Sequence, residues 1–129
     1  MDKYQYLSGM KILIVEDDLD LVATYMDLLE PQGYCVTSVL RVADAIQVVT
    51  RQKPHLIILD LNLPGDSGSL FLNFVRRYPP IAKTKIILAT GRPDMITTAE
   101  YVSNKVDAIL TKPIPNLKLL ETLSELGMY

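Results

Sequence analysis

Six polar residues, each at or just beyond the end of a short apolar run, are the part of this 129-residue sequence equipped to do chemistry. Glu16, Asp17 and Asp18 follow KILIV, Asp60 follows LIIL, Thr90 follows IILA, and Lys112, itself followed by Pro113, comes two residues after DAIL. Carboxylates brought to one place repel each other, and without compensation their pKa values rise or the fold weakens. Lys112 supplies one positive charge, too little for three or four acids. A hard divalent cation with oxygen ligands completes the balance, and Mg²⁺ suits it because it needs few protein carboxylates and keeps waters. A cation, an ammonium and a hydroxyl around one carboxylate are also the parts of a phosphoryl-transfer site. The positive groups neutralise the oxygens of the moving group, the hydroxyl donates to one of them, and the carboxylate attacks phosphorus in line. Asp60, which alone ends the central apolar run, is the candidate nucleophile.

Such residues meet only if the elements between them bring the ends of the apolar runs together. Lys11 to Val15, Tyr34 to Val39, His55 to Leu59, Lys85 to Ala89 and Asp107 to Leu110 read as strands. The gaps between them are each long enough for a crossover helix, and three of the runs are apolar throughout their centres, as strands covered on both faces of a parallel sheet should be. Helical faces fill the gaps: Leu21, Tyr25, Leu28 and Leu29, stopped by Pro31 and Gly33; Val42, Ala45, Ile46 and Val49; and Leu70, Phe71, Phe74 and Val75, ended by Pro79 and Pro80. A narrower stripe of Met95, Ile96, Ala99 and Val102 makes a fourth helix. A fifth carries Leu119, Leu120, Leu123 and Leu126, with Asn116 as its N-cap. The expected architecture is α/β, a doubly wound (βα)5 domain. In such a sheet, function gathers where the strands end and the helix N-termini point.

Composition excludes several other classes. Hydrophobic residues are 49% and charged residues 22%, ordinary for a chain that buries a core, and the length fits one domain. The net charge of -2 gives no electrostatic reason to bind nucleic acid or anionic lipid. No apolar run approaches the roughly 20 residues of a membrane span. The start, MDKYQYLSG, lacks a signal-peptide core, so a cytoplasmic location is expected. Cys35 is the sole cysteine, which rules out an internal disulfide, and its apolar neighbours predict a buried, inert thiol.

At its chemical residues the sequence resembles the receiver domain of two-component response regulators. The resemblance runs over about residues 10 to 127, after an extension of residues 1–9, through ILIVED at 12–17, LIILDLNLPGDSG at 56–68, IILATG at 86–91 and LTKP at 110–113. It implies a flavodoxin-like receiver fold with strand order 2-1-3-4-5. It also implies that Asp17 ligates Mg²⁺ directly and Glu16 through water, that Asp60 is both phosphoacceptor and metal ligand, and that the main-chain carbonyl of Asn62 completes the set. Thr90 would bind a phosphoryl oxygen and move towards it, and Lys112 would pair with another, beside a Lys-Pro bond that is often cis in the family. Pro64, Gly65 and Gly68 would shape the loop after the third strand. The implied partners are a sensor histidine kinase or a histidine phosphotransfer protein. A homodimer through the face of the fourth helix, fifth strand and fifth helix is a further implication. Ile109 departs from the pattern, standing where the family commonly has the Tyr or Phe that swings inward with the switch Thr. Gly91 leaves room for access to an acyl phosphate, and Arg92 is placed to reach over it and shield it from water.

Plainer readings exist for each residue. Asp18 is expected to cap the first helix, Thr90 alone is a common turn residue, and His55, with no second imidazole, reads as a strand-boundary residue. Two other function classes compete with the switch. A phosphohydrolase of the haloacid dehalogenase type also uses Asp, Thr and Lys with Mg²⁺, and Asp18 to Val22 copies its DxDx[TV] pattern, but two residues late. A degenerate receiver would serve only as a protein-interaction module. A nucleotide-binding domain is disfavoured, because no Gly-rich phosphate loop follows the first strand.

Overall fold

The computed structural model describes residues 9–60, 68–91 and 106–128. In chain order these form β1 (Lys11–Val15), α1 (Leu19–Leu29), β2 (Cys35–Val39), α2 (Val42–Gln52), β3 (Leu56–Asp60), α3 (Gly68–Arg77), β4 (Lys85–Thr90), β5 (Ala108–Thr111) and a C-terminal helix (Asn116–Glu125). All strand pairs are parallel, and the sheet runs β2-β1-β3-β4-β5 as expected. The predicted fourth helix, with Met95, Ile96, Ala99 and Val102, lies outside the described residues, as do the first eight residues.

Alternation along the strands divides the core in two. On one face Ile12, Ile14, Leu56, Ile58, Ile87, Ala89 and Leu110 pack under Val22, Tyr25 and Leu29 of α1 and Leu119 and Leu123 of the C-terminal helix. On the other, Leu13, Val15, Ile57, Leu59, Ile86 and Leu88 pack under Val42, Ala45 and Val49 of α2 and Phe71, Leu72 and Val75 of α3. β3 is buried at every position, because it is central in the sheet and covered on both faces.

Helix ends follow their residues. The carboxylate of Asp18 accepts hydrogen bonds from the backbone N–H groups of Asp20 and Leu21 at 3.0 and 3.1 Å, so it caps α1 as expected. The helix passes into a 3₁₀ turn at Glu30–Gln32, and Gly33 then takes φ 100°, a left-handed value at which a side chain would be strained. After α3, a second 3₁₀ turn at Pro79–Ile81 leads to β4. The Arg76 guanidinium ties this corner together, donating to the carbonyls of Ala82 (3.0 Å) and Thr84 (2.6 Å) and pairing with Asp107 at 3.1 Å. Asp107 in turn accepts from the backbone N–H of Ile86 at 2.8 Å. His55 is a boundary residue, as expected: its Nδ1 accepts from the Lys11 backbone N–H at 3.0 Å.

Three expectations are corrected. Cys35 is exposed, because it begins the edge strand β2, which has a neighbouring strand on one side only. Leu70 is 69% exposed and Leu72 takes the place assigned to it, since the run Leu70, Phe71, Leu72 lets periodicity alone choose either flank of the stripe. Asn116 is not a cap but the first helical residue. Pro115 occupies the N-cap position with extended backbone and makes no side-chain cap, consistent with a proline ring that fixes φ and offers no acceptor.

Candidate functional site

The expected residues arrive at one sheet edge because the strands that carry them are parallel and in register. Val15 pairs with Leu59, so Glu16 and Asp60 stand at the carboxyl ends of adjacent strands. Their order reverses here, β1 leading out to β2 and β3 to β4, which is the switch point where ligands bind in doubly wound sheets. Asp60 pairs with Ala89 and Thr90 with Thr111. Both Asp60 and Thr90 are the last residues of their strands rather than the first of the loops, so each strand runs one residue beyond its apolar run. The backbone N–H of Lys112 donates to the Thr90 carbonyl at 2.7 Å, extending the ladder and setting the lysine beside the threonine. The Lys112–Pro113 peptide bond is cis.

Alternation then decides which side chains meet. Glu16 follows Ile14, Asp60 follows Ile58 and Lys112 follows Leu110 on the face covered by α1, so the three converge. The Lys112 ammonium lies 2.7 Å from Glu16 Oε2 and 2.9 Å from Asp60 Oδ2. Glu16 Oε1 accepts from the backbone N–H of Asp18 at 3.1 Å. Glu16 and Asp60 are buried, at 2% and 3% exposed, whereas Asp17 faces solvent. Thr90 is buried too, on the opposite pleat from Asp60.

Charge is unbalanced in this cluster. Burial pushes the Glu16 carboxyl up to about 7; the hydrogen bond from Lys112 pulls it back, while neighbouring Asp60 adds to the rise. For Lys112, burial works against the charged form, but its hydrogen bonds to Glu16 and Asp60 outweigh that and raise its pKa. One carboxylate oxygen from each of Glu16, Asp17 and Asp60 lies within 4.8 Å of the others. Three hard oxygen donors at that spacing, short of positive charge, fit Mg²⁺, which takes few protein carboxylates and fills the remaining positions with water. Asn62, Pro64, Gly65 and Arg92 lie outside the described residues. Gly68 is buried at the start of α3. Gly91 is exposed, and a Cβ added to it would meet nothing within 4 Å.

Two features of the site do not follow from the pattern of the sequence. Asp18 contributes twice, capping α1 with its carboxylate and holding Glu16 with its backbone N–H. Tyr25 reads simply as one residue of an apolar stripe, yet its buried hydroxyl has no hydrogen-bond partner among the described residues. Burial first, and then the charges of Glu16, Asp60 and Asp18, push its pKa up.

A parallel five-stranded sheet with acids and a lysine at its switch point defines a response regulator receiver, and comparison with known proteins agrees. Residues 12–124 match the family described as the response regulator receiver domain, and the chain belongs to that family. Over 104 residues it is 33% identical to the transcriptional regulatory protein AfsQ1 of Streptomyces coelicolor, a match covering 80% of this chain and 44% of that protein. It is 31% identical to the aerobic respiration control protein ArcA of Escherichia coli K12 over 102 residues, 79% of this chain and 42% of ArcA. The chain thus spans less than half the length of these curated relatives. Among solved structures, the receiver domain of TorR, the response regulator of a TMAO respiratory system, superimposes with a TM-score of 0.81 at 29% identity, covering 92% of this chain and 96% of that one. The chemotaxis response regulator CheY4 of Vibrio cholerae gives a TM-score of 0.82 at 25% identity, covering 90% and 97%. Phosphorylation-dependent switching is the general function of this family. No helix among the described residues is long and apolar enough to cross a membrane.

Proposed function

We propose that this chain is a working phosphoacceptor switch, with residues 10–127 as its receiver unit and Asp60 as the residue that takes the phosphoryl group from a sensor histidine kinase or a histidine phosphotransfer protein. The observation that carries the reading is the ammonium of Lys112 within 2.9 Å of both Glu16 and Asp60, beside a third acid. An oxygen of Asp60 attacks phosphorus, the P–O bond forms as the N–P bond of the donor phosphohistidine breaks, and the imidazole leaves with its electron pair. Lys112 then shifts its hydrogen bond from Asp60 to a phosphoryl oxygen, and Thr90 donates to another. Glu16 and Asp17, with Asp60 and the Asn62 carbonyl, would hold Mg²⁺, which supplies charge neutralisation for the oxygens in transfer. On this reading the chain is a phosphoacceptor that assists its own phosphorylation and dephosphorylation, not an enzyme with a separate substrate, and its place is the cytoplasm.

Ile109 bears on the output. It sits on β5 on the same pleat as Thr90, 36% exposed and without a ring, so movement of Thr90 passes to the surface by a route other than an aromatic rotamer. Dimerisation through the fourth helix, β5 and C-terminal helix remains part of the proposal. Gel filtration before and after phosphorylation reads it directly.

Incubation with a small phosphodonor and Mg²⁺, followed by intact-mass measurement, tests the reading. One phosphate on the wild type and none on Asp60→Asn is the expected result. Steady turnover of a phosphomonoester would point instead to a hydrolase, and no mark from any donor to a module that only binds protein.

A further inference from the structure

The Tyr25 hydroxyl is the single buried side-chain polar atom among the described residues with no hydrogen-bond partner. Leaving a buried hydroxyl unpaired costs on the order of 1–3 kcal/mol. A phenylalanine would fill the same space without that cost. The surroundings suggest what the hydroxyl is for. Tyr25 packs on the face of the sheet where Ile14 gives way to Glu16 and Ile58 to Asp60. Long side chains on a helix lean towards its N-terminus, and α1 begins at the Asp18 cap, on the sheet edge that holds the acids. The phenol is thus expected to lean towards that edge, and the negative charges of Glu16, Asp60 and Asp18 help keep it protonated. It faces an acceptor-rich cluster as a neutral donor. The oxygens of Glu16 accept from Lys112 and from the Asp18 N–H, and the carboxyl is also hydrogen-bonded to Asp60, yet two carboxylate oxygens offer about four acceptor sites in all.

We propose that Tyr25 is a positioning residue of the phosphoacceptor pocket: its hydroxyl donates from beneath, through one buried water, to Glu16, and so holds that carboxylate oriented towards the cation. This rests on the reading of the pocket as a Mg²⁺-assisted phosphoacceptor site. A buried water with two polar partners is an ordinary component of a protein interior, and groups that orient metal-binding side chains influence affinity without touching the metal.

Calorimetric titration of Mg²⁺ into the intact chain tests this, comparing wild type, Tyr25→Phe, Glu16→Gln and the double variant, with thermal unfolding in chelator as the control for folding. The expected result is a Mg²⁺ affinity weaker by about 10-fold in Tyr25→Phe, and no further loss when the same change is made on Glu16→Gln, because the hydroxyl acts through that carboxylate. An unchanged affinity in a folded Tyr25→Phe, or an equal loss in the Glu16→Gln background, overturns the inference. Intact mass after a small phosphodonor separates the two levels. A wild type phosphorylated on Asp60 whose Mg²⁺ affinity ignores Tyr25 leaves the pocket reading standing and removes only Tyr25 from it. A wild type that neither binds Mg²⁺ nor takes phosphate overturns both.

Discussion

Lys112 is the residue on which the pocket depends when no cation is bound. Two buried carboxylates face each other across β1 and β3, and its ammonium, 2.7 and 2.9 Å from them, offsets their repulsion. Removing one member of a largely buried charge cluster leaves the others uncompensated, which is more costly than losing an exposed ion pair. Lys112→Gln is therefore expected to lower Mg²⁺-free stability by about 3 kcal/mol in urea unfolding, with saturating Mg²⁺ recovering part of the loss. Asp60→Asn works in the other direction. It removes one acid while Lys112 keeps Glu16 as a partner, so the Mg²⁺-free melting temperature should rise even as phosphorylation is abolished. A variant that melted lower than wild type would mean that the Asp60 carboxylate stabilises the fold and that the acids are already balanced. These residues were legible in the sequence because charge directly after a buried strand has no structural purpose that a cap does not serve better. The pairing of Lys112 with Glu16 as well as Asp60 was not, because strand order and pleat decide it.

At the scale of elements, the first helix and the α3–β4 corner carry separate tasks. Asp18 satisfies two backbone donors at the start of α1 and presents its own N–H to Glu16. Asp18→Ala keeps the second contact and loses the first, so a stability cost of about 1 kcal/mol with little change in Mg²⁺ affinity is the expected outcome. A large affinity loss would show that the cap orients the site. The Arg76 clamp joins the end of α3 to the amino ends of β4 and β5, far from the acids. Five strands and the helices α1, α2 and α3 could be read from alternating short and long apolar patterns, since a parallel sheet covered on both faces demands continuous β-rich runs. Where the pattern misled, the cause was local: three apolar residues in succession at Leu70 to Leu72, and at Cys35 apolar neighbours that outweighed the edge position of its strand. The clamp was invisible for a different reason, because Arg76 and Asp107 are 31 residues apart and meet only through the sheet order.

For the whole molecule, the same acids that equip the site tax the fold, and pH exposes that. Folding raises the Glu16 carboxyl from 4.5 to about 7, chiefly through burial. The folded state thus holds a proton that the unfolded state releases, and the sign follows: the contribution is fully present below the unfolded value, and it is lost as pH rises through the folded one. Between pH 4.5 and about 7 the Mg²⁺-free domain should therefore lose stability relative to Glu16→Gln, which has no proton to release there. The two proteins' melting temperatures, compared across that range, should converge or cross as pH rises if the wild type is the more stable at low pH. On the proposed reading Mg²⁺ would bind the ionised acids of the folded state, and it would then add stability by mass action, and add more as pH rises. Differential scanning calorimetry from pH 4.5 to 8, with and without Mg²⁺, reads both effects in one series. A wild type whose Mg²⁺-free melting temperature tracks that of Glu16→Gln at every pH would mean that Lys112 holds Glu16 ionised throughout, and that the cation enters a pocket already in balance.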